Sequence, residues 1–237
     1  MNALILLAGG KGSRMEDSVP DKTLADLNGK AVLLHSLEAF KNTRAFDRYF
    51  IVFRDGEQKA EIQSLVGALN FNLKAVSYVK GGNSRQASVY NALKAINEAV
   101  DLVAIHDGAR PMIKESFILQ LLDEAQKFGS AIACSPVIDT IKSVDLSSKT
   151  LGLCIASSMD RLRLRATQTP QIFSYPTILE AYKKVDQDKI NITDEVEALT
   201  HSQKQVHLTQ NPRPNPKITT KNDLNYILYL LNKNPLH

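Results

Sequence analysis

The chain has 237 residues, 43% of them hydrophobic and 23% charged, and its 29 basic and 25 acidic residues leave a net charge of +4. That composition suits one large α/β domain or two small ones, with a sizeable core, and no apolar run approaches the roughly 20 residues of a membrane helix. Lys and Arg are scattered rather than gathered into the stripe a nucleic-acid surface needs, and Cys134 and Cys154 alone cannot form a disulfide framework.

Apolar runs alternate with helical periodicity from the start. Ala3–Leu7 reads as a short buried strand. It leaves no room for a leader peptide ahead of it, so a soluble cytoplasmic protein is expected. Val32–Phe40 carries apolar residues at helical spacing, Tyr49–Phe53 is a strand, and Gln58–Leu69 is a helix. Ala75–Val79, Leu102–Ile105 and Ser130–Ser135 continue the strands, and Ser84–Ala99 and Lys114–Phe128 the helices. This rhythm predicts an α/β, Rossmann-like, mostly parallel sheet with helices on both faces and right-handed crossovers. Ligands of such sheets sit outside the carboxyl ends of the strands, which singles out loops 8–22, 80–88 and 106–111.

The rhythm breaks after Ser135. Ile138–Val144 and Leu151–Ala156 read as strands around the turn Ser147-Ser148-Lys149. The chain is therefore expected to be one domain over 1–237 with a β-hairpin arm at 137–168. The arm has little core of its own, so a partner subunit is expected to cover it. Helical pattern returns at Tyr175–Val185 and Asp194–Thr200, with a late strand at Gln205–Leu208. Gln210–Pro216 holds three prolines and reads as an extended loop, and Lys221–Asn232 closes the chain as an amphipathic helix capped by Thr220 or Asn222.

Three loops carry the chemistry. Leu7-Ala8-Gly9-Gly10-Lys11-Gly12-Ser13-Arg14-Met15 runs straight out of the first strand. Its glycines let backbone N–H groups converge on an anion, and Lys11, Arg14 and the later Lys22 add positive charge. It is neither a dinucleotide fingerprint, with Met15 in place of the third Gly, nor a phosphate loop of the Walker type, with Gly12 after the Lys. Gly81-Gly82-Asn83-Ser84-Arg85-Gln86-Ala87-Ser88 is a second glycine loop, with Asn83 or Ser84 as helix cap. His106-Asp107-Gly108-Ala109-Arg110-Pro111 places a carboxylate just beyond a buried strand, where Mg²⁺ is held by carboxylate and phosphate oxygens. A plain ion pair between Asp107 and Arg110 is the simpler alternative, and a structural role is the expectation for His106.

Together these segments resemble the cytidylyltransferases that activate sugar and polyol phosphates, above all the 2-C-methyl-D-erythritol 4-phosphate cytidylyltransferase family of non-mevalonate isoprenoid biosynthesis. The resemblance covers Leu6 to about Leu230. It rests on Leu7 to Met15, Gly81 to Val89, His106 to Pro111, Asp139 to Lys142, Asp160-Arg161, Gln168 to Gln171, Thr193 to Glu195 and Lys217 to Thr219. It implies transfer of CMP from CTP to the polyol phosphate, Mg²⁺ as cofactor, and a homodimer through the arm. By position, Arg14 and Lys22 would stabilise the transition state, and Arg161 and Lys217 would place the attacking phosphate. Ala8, Gly9, Gly10, Gly82, Asn83, Ser88, Asp107 and Gly108 would hold the nucleotide, with Asp107 also at the metal. Arg110, Thr140, Thr169 and Thr193 would surround the second substrate. Asp21 separates Pro20 from Lys22, which the family usually joins, and sets a negative charge beside a lysine meant to stabilise one. Ribitol-5-phosphate cytidylyltransferases share the fold and chemistry but tend to depart at Thr193 to Glu195 and at Asp160-Arg161. A non-catalytic nucleotide-binding homologue is the alternative of another class.

Overall fold

The computed structural model describes residues 1–10, 21–69, 71–145 and 154–233. In chain order its elements are β1 (Asn2–Leu7), α1 (Val32–Asn42), β2 (Arg48–Phe53), α2 (Gly56–Gly67), β3 (Val76–Lys80), α3 (Arg85–Lys94), β4 (Leu102–Asp107), α4 (Glu115–Phe128) and β5 (Ser130–Pro136). The second half adds β6 (Lys142–Asp145), β7 (Cys154–Ser158), β8 (Arg165–Ser174), α5 (Tyr175–Gln187), α6 (Glu195–His201), β9 (Leu208–Gln210) and α7 (Lys221–Lys233). Seven strands form one sheet in the order β3-β2-β1-β4-β8-β5-β9, and β6 and β7 pair apart from it.

The sheet is buried on both faces, which is why its strands read as unbroken apolar runs. Leu4 and Leu6 of β1 face one core with Leu37 and Phe40 of α1, Ile62 of α2 and Ile118 of α4. Ala3 and Ile5 face the other with Val89 of α3, Tyr182 of α5 and Leu199 of α6. The two-residue period of the strand divides its side chains between the layers. Fully burying each leucine stabilises the fold by about 1.5–3 kcal/mol. α7 closes a smaller cluster, packing Ile227 and Leu231 on Leu27, Met112 and Ile218. Among the described residues no helix is long and apolar enough to cross a membrane.

β1, β2, β3 and β4 run parallel, as the α/β rhythm predicts. β8 is antiparallel to both β4 and β5. Sequence reading finds no strand there, because Gln168-Thr169-Pro170 looks like a loop and a proline within a strand removes a ladder donor. The structure absorbs the proline in an irregular register: Ile132 faces Gln171 and Cys134 faces Thr167, so three residues of β8 bulge opposite Ala133. That bulge carries Thr169 to the end of β4. The last four residues of the expected arm, 165–168, thus run in the main sheet.

Other boundaries shift for local reasons. The helix expected over Ser84–Ala99 stops at Lys94, where Ala95 N–H bonds Asn91 and Ala92 carbonyls and Ile96 and Val100 turn into the core. The late strand lies three residues further on, at Leu208–Gln210. Of the arm, Lys142–Asp145 and Cys154–Ser158 pair as a hairpin, and the turn at 147–149 lies outside the described residues. Cys134 and Cys154 are free thiols.

Candidate active site

The strand order reverses direction between β1 and β4: the chain winds from β1 outward through β2 and β3, then returns to the other side. Such a switch point opens a crevice at the strands' carboxyl ends. Here a cleft of about 660 Å³ occupies it, lined by Ala8, Gly9 and Gly10 after β1, by Lys80–Arg85 and Ser88 around β3 and α3, and by Asp107 at the end of β4.

The glycines are required by close approach. A Cβ on Gly9 would lie 3.2 Å from the Phe53 carbonyl carbon, and one on Gly82 only 2.5 Å from the Ala87 Cβ. Gly82 N–H donates to Ser88 Oγ at 3.0 Å, and that hydroxyl donates to the Ser84 carbonyl at 2.8 Å. Ser84 caps α3 by accepting from Ala87 N–H at 3.0 Å. The second glycine loop is thereby pinned to the first turn of a helix whose dipole favours anions.

Register places the carboxylate. Leu7 pairs with Asp107 at the last rung between β1 and β4, and Gly108 N–H donates to the Leu7 carbonyl at 2.9 Å. A Cβ on Gly108 would stand 3.1 Å from that oxygen. Asp107 is 7% exposed and faces three cations: Lys217 Nζ at 2.8 Å, Arg110 Nε at 3.6 Å and Arg85 Nε at 3.7 Å. Burial alone would raise its pKa; Lys217 foremost, then Arg85 and Arg110, outweigh it and hold the carboxyl well below the usual carboxylate range. The pair with Arg110 is therefore a buried contact within the site.

His106 is fully buried, with Nε2 3.2 Å from the Arg110 carbonyl and Nδ1 3.1 Å from Thr169 Oγ1. A carbonyl can only accept, so Nε2 carries the proton and Nδ1 accepts from the Thr169 hydroxyl. That hydroxyl in turn accepts from Asp107 N–H at 3.0 Å. Burial pushes the imidazole pKa down to about 4, so the ring is neutral near pH 7 and works as a brace under the Asp107 backbone.

Lys22, Lys217, Asn83 and Ser88 line the same cleft. Arg110 packs behind Asp107 with Nη1 on the Asn215 carbonyl at 2.7 Å, and Thr169 is buried in the His106 brace. Thr193 is exposed at the start of α6, where its N–H donates to Glu197. Thr140 and Arg161 are exposed in the arm, outside this cleft, and Arg161 Nη1 donates to the Ile138 carbonyl at 2.8 Å. Arg14 lies outside the described residues.

Two further residues belong to the site. Arg85, within the glycine motif, reaches Asp107 while its guanidinium forks onto Glu195 at 2.7 and 2.9 Å. Glu195 is fully buried and also accepts from the Tyr182 hydroxyl at 3.0 Å. Both stand in quoted motifs, but their pairing across 110 positions leaves no local signal. Five basic side chains (Lys22, Arg54, Lys80, Arg85 and Lys217) against one carboxylate, Asp107, make the described lining an anion site.

Residues 2–233 match the family described as 2-C-methyl-D-erythritol 4-phosphate cytidylyltransferase. Proteins of that description from Shouchella clausii and Clostridium acetobutylicum are each 36% identical, over 98% and 100% of this chain and 96% and 100% of theirs. The solved 4-diphosphocytidyl-2C-methyl-D-erythritol synthase of Anaerococcus prevotii shares the fold with a TM-score of 0.83 at 24% identity, over 98% of both chains. The Francisella tularensis 2-C-methyl-D-erythritol 4-phosphate cytidylyltransferase structure matches with a TM-score of 0.77 at 26% identity, over 96% of this chain and 98% of that one. The chain belongs to the 2-C-methyl-D-erythritol 4-phosphate cytidylyltransferase family.

Proposed function

We propose that the cleft binds CTP and performs the family's transfer: a phosphate oxygen of 2-C-methyl-D-erythritol 4-phosphate attacks the α-phosphorus of CTP. The bond to the β-phosphate breaks, its electrons leave on pyrophosphate, and 4-diphosphocytidyl-2-C-methylerythritol remains. Such a reaction needs alignment and cations more than covalent help. The observation that carries the reading is the basic, glycine-lined cleft at the β1–β4 switch point, with one buried carboxylate. The two glycine loops hold the nucleotide, Lys22 and Arg14 meet charge developing on the triphosphate, and Lys217 orients the attacking phosphate.

Asp107 is the one carboxylate in the described lining, and it would hold Mg²⁺ in exchange for its contact with Lys217. Among the described residues no group of three metal-ligating side chains exists, and Mg²⁺ is commonly held by one carboxylate plus substrate phosphates. When bound, the ion neutralises charge on the triphosphate oxygens. The protein's part is to keep Asp107 ionised beside Lys217, as its ring of cations does.

We also propose a homodimer through the arm. Ile155 on β7, Ile138 ahead of β6 and Leu162 just after β7 are 68%, 83% and 80% exposed in the arm. A partner subunit would cover them, and Thr140 and Arg161 would then serve the partner's cleft. The purified chain is expected to release pyrophosphate from CTP only when 2-C-methyl-D-erythritol 4-phosphate is present. Turnover with ribitol 5-phosphate alone would overturn the substrate assignment, and binding of CTP without any release would leave a non-catalytic homologue.

A further inference from the structure

The acidic residue beside Lys22 is built into the cleft's support. Asp21 is 8% exposed and does not line the cleft, whereas Lys22, Thr23 and Arg54 do. Its Oδ1 accepts from the Thr23 N–H at 2.9 Å and the Thr23 hydroxyl at 2.7 Å. Its Oδ2 accepts from Arg54 Nη1 at 3.0 Å and from Gln58 Nε2 at 2.6 Å. Its carbonyl accepts from Ala25 N–H at 2.9 Å, closing a turn that contains Lys22. The carboxylate charge is thus balanced by Arg54 and surrounded by donors. With Asp21 and Thr23 anchored on either side, Lys22 reaches over the glycine loop, its Cε 3.9 Å from where a Cβ on Gly10 would stand.

Gln58 joins this turn to the first glycine loop. It is 2% exposed, and its Nε2 also donates to the Ala8 carbonyl at 3.0 Å. Its Oε1 accepts from Arg54 N–H at 2.6 Å, and its own N–H is held by Asp55 Oδ1 at 2.9 Å. One buried amide therefore ties together the exit of β1, the end of β2 and the Lys22 turn.

We propose that Asp21 is a positioning residue for the transfer: gripped by Arg54 and Gln58, it sets the path of the Lys22 side chain, whose Cε lies over Gly10. The inference rests on the reading of Lys22 as a cation that acts in the reaction. Replacing Asp21 by Asn keeps an acceptor for Thr23 but turns an NH₂ group toward the Arg54 and Gln58 donors, so the turn loses its floor.

The test is a double-mutant cycle of Asp21→Asn and Lys22→Met, read as pyrophosphate release at saturating substrates. Asp21→Asn is expected to lower kcat roughly 10- to 100-fold, with the KM for CTP changed less than about threefold, because a misplaced catalytic group costs turnover. In the Lys22→Met background the same change should cost less than about threefold, since residues acting as a unit are non-additive. An equal loss in both backgrounds, or wild-type kcat for Asp21→Asn, overturns the proposal. If Asp21→Asn fails to fold, Gln58→Met, which lies outside the cleft lining and removes one of the donors to Asp21 Oδ2, replaces it in the cycle with the same expectations. If the wild type binds CTP but transfers nothing, the functional reading has failed separately. The cycle is then run on CTP affinity by calorimetry, where non-additivity supports the Asp21 role and additivity overturns it.

Discussion

Lys217→Met removes the shortest contact to the buried carboxylate while keeping much of the side chain's length. The ammonium lies 2.8 Å from Asp107 Oδ2, against 3.6 and 3.7 Å for the two arginines. At an effective dielectric of about 20 those separations correspond to attractions of about 6 kcal/mol for the lysine and about 4.5 kcal/mol for each arginine. Dehydration of both partners offsets most of that, and Arg85 and Arg110 keep Asp107 compensated. The net stability loss should therefore fall below the roughly 3–5 kcal/mol of a buried charge left unpaired, at about 1–2 kcal/mol. For a chain of this size that lowers Tm by about 2–8 °C. The catalytic loss should be larger. A cation aimed at transition-state charge is worth about 10²–10³ in kcat, or about 2.7–4 kcal/mol. Steady-state pyrophosphate release, run at a temperature below both measured melting points, separates the two effects. A variant that melts lower but keeps kcat within about fivefold would refute the role given to Lys217 and reduce its contact with Asp107 to a structural ion pair.

Three further outcomes are expected. Gly82→Ala forces a Cβ to within 2.5 Å of Ala87 on the first turn of α3. Overpacking of roughly 1–3 kcal/mol should raise the KM for CTP about 5- to 150-fold, and an unchanged KM would contradict the nucleotide-loop assignment. His106 titrates near pH 4 when folded and near 6.5 when unfolded, so between those values the unfolded chain binds the extra proton. Stability from this residue is complete above about pH 6.5 and is lost toward pH 4, by roughly 3 kcal/mol in all. In urea titrations His106→Gln should flatten that dependence; an unchanged slope across this window would show the ring is not buried neutral. Light scattering should find the wild type dimeric and Ile155→Glu with Leu162→Glu monomeric, whereas a monomeric wild type would remove the proposed arm interface.

The sequence made the parallel half of the sheet and its three site loops legible, because strands buried on both faces leave apolar runs and tight approaches leave glycines. It hid β8, since Gln168-Thr169-Pro170 carries the composition of a loop and only the bulge opposite Ala133 admits it to the ladder. Glu195 reads locally as an acidic residue in a helix's first turn; its role depends on Arg85, 110 positions away. Asp21 misleads for the same reason. Beside Lys22 it looks like an opposing charge, but its ionic partner is Arg54, 33 positions on. Contacts between loops of different strands have no period and no local composition, so networks of charge are the least visible part of a site.

The central claim is attack at the α-phosphorus of CTP within this cleft. It is tested most directly by following label from CTP labelled at the α- or the γ-phosphorus through one turnover with 2-C-methyl-D-erythritol 4-phosphate. The α label should appear wholly in the nucleotide–polyol product and the γ label wholly in pyrophosphate. Transfer of the γ label to the polyol phosphate, or release of labelled CMP without a polyol adduct, would contradict the account.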